Sequence, residues 1–89
     1  MGYEWDSAKN VANVAKHGID FEDAVAIFDA RHLVRESTRT GSSERRWVAL
    51  GPIFGRLVAV VYTWRGETRR IISARRARRD EQVLYDRAP

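Results

Sequence analysis

The 89-residue sequence has no cysteine, one methionine and two prolines, and only two of its sixteen basic residues are lysines, Lys9 and Lys16. Without cysteine there can be no disulfide framework, zinc knuckle or thiol nucleophile. No apolar run approaches the ~20 residues a membrane helix needs, and the opening MGYEWDSAKN lacks a signal-peptide core. The adjacent acids Glu22 and Asp23 point in different directions, as do Asp80 and Glu81, and no histidine–carboxylate spacing resembles a metal site. Two-metal phosphoryl chemistry is therefore not expected, and neither a glycine-rich phosphate loop nor a nucleophile elbow is present. The expected class is a soluble cytoplasmic domain that needs no metal and no cofactor.

What is present is arginine. Residues 1–44 hold 5 basic and 8 acidic side chains, a balance of −3, whereas residues 45–89 hold 11 and 4, a balance of +7. Arginine contributes 14 of the 16 basic residues. Its planar fork can hold a phosphate through two hydrogen bonds and stack on a base, which lysine cannot do. A polyanion, most simply nucleic acid, is the first partner to consider. At 44% hydrophobic and 31% charged residues the chain fits a globular protein, and its length suits a single domain over 1–89.

The N-terminal third reads as two helices. Asp6 is a candidate N-cap for a helix that runs to Lys16 or His17 and stops at Gly18. Ala8, Val11, Val14 and Ala15 form an apolar stripe on it, while Lys9, Asn13 and His17 share another face. Asp20 caps a second helix, whose Phe21, Ala24, Val25 and Phe28 have the spacing of a core-facing stripe. Residues 3–5 suggest a short strand. Residues 32–36 suggest an edge strand, residues 38–43 (TRTGSS) a polar loop, and residues 46–50 a further strand. Gly51, Pro52 and Gly55 read as the next turn. Residues 57–63 are apolar on both parities, which suits a central strand covered on both faces. A tight turn at Arg65–Gly66 leads to a last strand over 68–74, and a C-terminal helix starting between Ala77 and Asp80 carries Val83, Leu84 and Tyr85. Helices followed by hairpin-connected strands and a final helix imply an α+β fold with an antiparallel sheet of three to five strands.

The densest signal is residues 65–79, RGETRRIISARRARR, with seven arginines and Glu67 as the one opposing charge before Asp80. Arginines crowded this closely repel one another, which is easier to explain if an anion binds among them. Simple alternation puts Arg69, Ile71, Ser73 and Arg75 on one face and Arg70, Ile72 and Ala74 on the other. Trp47, Tyr62, Trp64 and Tyr85 accompany the basic region. Trp47 and Tyr62 suit the core, and Trp64, at the hairpin, is the better candidate for stacking on a base. Of the two histidines, His17 at a helix end is the candidate general acid or base, although bonding the last helix carbonyls would equally explain it.

Three stretches together resemble the BrnT toxins of bacterial type II toxin–antitoxin systems: EWDSAKNVANVAKHGIDFEDAVAIFDA (4–30), ERRWVALG (44–51) and LVAVVYTWRGETRRIISARRA (57–77). The resemblance implies a RelE-like fold with two N-terminal helices and one C-terminal helix. It also implies a ribonuclease that needs no metal and stops translation. The implied partner is a BrnA-type antitoxin with a ribbon-helix-helix part, and operator DNA is met only through that antitoxin. The family motifs fall on Lys16, His17, Glu22, Arg46, Arg70, Arg75 and Arg76, and Trp64 departs from the polar residue expected in the hairpin. The implied chemistry is attack of a 2′-hydroxyl on the adjacent phosphate. Arg70 and Arg75 are assigned to that phosphate with Arg46 assisting, His17 to proton transfer with Glu22 as the alternative, and Lys16, Trp64, Arg69 and Arg76 to substrate binding. Two other readings share the basic strand: a non-catalytic nucleic-acid-binding domain, and a module that docks an acidic protein.

Overall fold

Capping side chains set the first helices. The computed structural model describes residues 2–37 and 44–89, so the expected loop over 38–43 lies outside the described residues. The Asp6 carboxylate accepts hydrogen bonds from the N–H groups of Ala8 and Lys9, at 2.9 and 3.1 Å, and opens α1 (Ser7–His17). Gly18 ends this helix in the left-handed region at φ 73°, where a β-carbon would be strained. Asp20 caps α2 (Phe21–Ala24). Its carboxyl is held below the ordinary carboxylate range by hydrogen bonds from the Glu22 N–H and the Asn10 side chain. After one turn the chain tightens into a 3₁₀ segment, Val25–Asp29. Phe21 and Ala24 of α2 and Ile27 of the tighter segment enter the core, while Val25 and Phe28 of the expected stripe are half-buried.

Helix α1 docks through its polar face. Val11 and Val14 are 71% and 41% exposed, and the buried residue of the helix is Asn13. The Asn13 side chain accepts from the Ala74 N–H (3.1 Å) and donates to the carbonyls of Ala74 (2.9 Å) and Ile19 (2.8 Å). An amide side chain thus substitutes for a neighbouring strand beside Ala74. Buried backbone groups left unpaired cost about 1–3 kcal/mol each, so this contact outranks the apolar stripe in orienting the helix.

A five-stranded sheet has the order β1-β5-β4-β3-β2, formed by β1 (Gly2–Glu4), β2 (Leu33–Glu36), β3 (Trp47–Ile53), β4 (Arg56–Arg65) and β5 (Thr68–Arg76). It is mixed and not wholly antiparallel, because β1 pairs with β5 in parallel. As expected, β4 is central: Val58, Val60 and Tyr62 are buried on one face, Ala59 and Thr63 on the other. Gly51 and Pro52 belong to β3, not to a turn. Gly51 is required there, since a β-carbon would lie 2.7 Å from Ile27 Cβ. Pro52 lies past the last β2–β3 pair, where no ladder bond is lost. The actual turn is Phe54–Gly55, with φ of 50° and 78°.

One irregularity in β5 relocates the arginines. Val61 pairs with Ser73 and Tyr62 with Ile71, so Ile72 is an extra residue, a β-bulge. Alternation restarts after it. Arg69, Ile71, Ala74 and Arg76 share the face covered by α2 and the 3₁₀ segment, and Arg70, Ser73 and Arg75 share the opposite face. That opposite face is partly covered by α3 (Arg79–Arg87), whose Tyr85 packs on the cluster of Val48, Leu50 and Ala59. Arg31 clamps α3 from below, donating to the carbonyls of Tyr85 and Ala88 with its guanidinium 4.3 Å from the Tyr85 ring.

Candidate active site

The half of this face that α3 leaves open forms a cavity of about 710 Å³. Its floor is the sheet itself, with Val48, Val61 and Ser73 contributed by β3, β4 and β5. Lys16 and His17 reach it from the end of α1, Arg35 and Arg46 from the β2–β3 side, and Arg75 and Arg78 from the junction of β5 and α3. Among the described residues five cations and an imidazole converge, and no carboxylate lines the cavity.

A buried acid behind the wall holds two of these cations in place. Glu81, in the first turn of α3, is fully buried. It accepts from both terminal nitrogens of Arg75 (2.7 and 3.0 Å), from Arg35 (2.8 Å) and from the backbone N–H of Arg78 (2.8 Å). Burial alone would raise its pKa, but hydrogen bonds from Arg75, Arg78 and Arg35 prevail and lower it to about 2. The same bonds raise the Arg75 pKa, so that guanidinium is permanently charged and fixed in orientation. Arg46 is held more loosely, by a 3.8 Å ion pair with Glu44, and its buried Nε has no hydrogen-bond partner.

The residues named from sequence divide into four groups. Lys16, His17, Arg46 and Arg75 meet at the cavity. Arg70 shares that face but lies outside the lining, bound to Glu4 on β1 at 2.6 Å. Glu22 is exposed on α2 and away from the cavity. The rest lie across the sheet. Arg69 sits among aromatic rings, 4.1 Å from Phe28 and 4.6 Å from Trp64, and Trp64 is half-buried within β4, not exposed at the turn. Arg76 lines a second, smaller cavity that His17 also borders. Sequence reading missed Arg35, Arg78 and Glu81. The pattern Arg78–Asp80–Glu81 gave one usable signal, an acid at the third position of a helix, where it can cap the helix start.

A family model described as "Ribonuclease toxin, BrnT, of type II toxin-antitoxin system" matches residues 5–81. The chain belongs to the BrnT toxin family. The match contains every residue that lines the large cavity and ends on Glu81. A BrnT toxin is the ribonuclease of a type II pair, so RNA is its target and an antitoxin its partner. This places the ribonuclease reading above a non-catalytic binding domain. No curated protein matches the chain. Among the described residues no group of three or more His, Cys, Asp or Glu could hold a metal ion, and no helix is long and apolar enough to cross a membrane.

Proposed function

We propose that this BrnT toxin cleaves RNA in the cationic cavity without a metal ion, by attack of a 2′-hydroxyl on the adjacent phosphate. The observation that carries the proposal is the convergence of Arg35, Arg46, Arg75 and Arg78 with His17 in one cavity, two of the arginines being fixed by Glu81. In the reaction O2′ bonds to phosphorus and the P–O5′ bond breaks, leaving a 2′,3′-cyclic phosphate and a 5′-hydroxyl. Negative charge grows on the non-bridging oxygens as the phosphorane-like transition state forms. The Arg75 guanidinium, fixed by Glu81, stabilises it without reorganising because it is already oriented. We assign the phosphate to Arg46 and Arg75. His17 takes the proton from O2′, and Lys16, beside it in the wall, hands one to O5′. Arg70, paired with Glu4, supports the margin of the site.

This reading brings a RelE-like fold, a BrnA-type antitoxin, operator binding through that antitoxin, and action in the cytoplasm. The test is to incubate the purified toxin with total RNA in excess chelator. Cleavage is expected to persist, and His17→Ala is expected to lower its rate about 10²–10⁴-fold. Activity that requires added divalent metal, or a fully active His17→Ala, contradicts the assignment.

A further inference from the structure

We propose that the β3–β4 turn carries a nucleobase subsite that receives a base next to the scissile phosphate, guanine by preference. This deepens the ribonuclease reading and rests on it. The first observation is strain. Phe54 has φ 50° and is followed by Gly55 at 78°, so both residues of this two-residue turn lie at positive φ. Such a turn suits asparagine, aspartate or glycine, and a bulky aromatic residue there is strained. Burial does not compensate, because Phe54 is 86% exposed. A feature that costs the fold and gains nothing inside it points to a ligand outside it.

The second observation is what lies beside the ring. Phe54 borders a cavity of about 230 Å³ with Ile53 on its apolar side and Asp23, Arg56 and Arg76 around it. That is smaller than the ~300–1,000 Å³ of pockets that take a drug-sized ligand, and it suits one planar base. Arg56 and Arg76 are exposed and on the same face of the sheet as Ile53. His17 lines this cavity and the large one, so the two meet at the residue assigned to proton transfer. RNA held by its phosphate in the large cavity passes His17 and brings a neighbouring base to the Phe54 ring. Arg56 and Arg76 meet the backbone there. Asp23 offers a carboxylate to the edge of the base. Guanine fits best, because its Watson–Crick edge presents two adjacent N–H donors to one acceptor pair. The basic surroundings favour RNA over a protein partner, which an exposed aromatic ring could also attract.

The experiment measures binding of short oligoribonucleotides, methylated at every 2′-hydroxyl to block cleavage, to the full chain. Sequences with and without guanine are compared for the native protein, Phe54→Asn and Phe54→Tyr. Phe54→Asn is expected to weaken binding at least five-fold, erase the preference for guanine, and raise the melting temperature by relaxing the turn. Phe54→Tyr restores both affinity and preference. Unchanged affinity in Phe54→Asn overturns the subsite, as does a native protein that binds none of the oligonucleotides. If Phe54→Asn instead loses only the antitoxin, the turn is a protein interface and the proposal fails. If the native protein binds through Phe54 yet cleaves no natural RNA, the subsite stands and the ribonuclease mechanism falls.

Discussion

Glu81→Ala is expected to destabilise the protein by about 3 kcal/mol, the low end of the penalty for breaking a buried ion pair. The low end applies because Arg35 is 40% exposed and can return to water, whereas Arg75, at 19%, cannot do so fully. In a domain of this size each kcal/mol moves the melting temperature by roughly 4–8 °C, so the loss should exceed 10 °C. Glu81 also gives stability a pH dependence with a defined sign. Its folded pKa, about 2, lies below the reference value of 4.5, so the native state favours the ionised form. The contribution is fully present above pH 4.5 and disappears as pH falls toward 2. A shift of this size corresponds to roughly 3 kcal/mol. Glu81→Gln keeps the volume and an acceptor for Arg78 but has nothing to protonate, so its melting temperature should vary less between those pH values. Thermal melting of the three proteins across acid pH checks this, and equal acid sensitivity in Glu81→Gln contradicts it.

Arg46→Ala is expected to reduce RNA cleavage about 10²–10³-fold, the usual cost of losing one donor to transition-state charge, with little change in melting temperature. Arg46 differs from Arg75 in just this respect. Its ion pair with Glu44 is 3.8 Å long with both side chains about a third exposed, and a pair of that kind contributes at most about 1 kcal/mol. Arg75 holds Glu81 through two short bonds, so Arg75→Ala should lose stability and activity together. Arg46→Lys keeps the charge but not the fork, and should recover part of the rate. Cleavage rates and melting curves for these variants separate the roles. An Arg46→Ala protein of native activity removes Arg46 from the site.

Features set by neighbouring residues were legible in the sequence. Asp6, Gly18 and Asp20 act within a few positions, and both helix starts and the first stop fall where those residues predict. The central strand was legible because an apolar run on both parities has few other uses. Features set across the chain were not. One extra residue at Ile72 reversed the faces of everything after it, so Arg75 came to share a face with Arg70 and not with Arg69. Nothing in RIISAR announces a bulge. Helix α1 inverts its apolar pattern because Asn13 bonds a strand 61 residues away. Gly51–Pro52 resembled a turn, but Gly51 answers to Ile27 pressing on the sheet. At the site, Lys16, His17, Arg46 and Arg75, each singled out from the sequence, line one cavity. Glu81 escaped notice because its partner Arg35 lies 46 residues earlier, and a carboxylate beside Asp80 looked like one more surface charge.

The chemistry of the cut ends distinguishes attack by the RNA's own 2′-hydroxyl from attack by water. An RNA cleaved by the purified toxin in chelator should carry 2′,3′-cyclic phosphate on one side of each break and 5′-hydroxyl on the other. The same RNA with a single 2′-deoxy sugar at the cleavage position should remain intact there. Products ending in 3′-hydroxyl and 5′-phosphate, or cleavage that ignores the missing 2′-hydroxyl, would show that water and not the RNA itself attacks, and would contradict the mechanism.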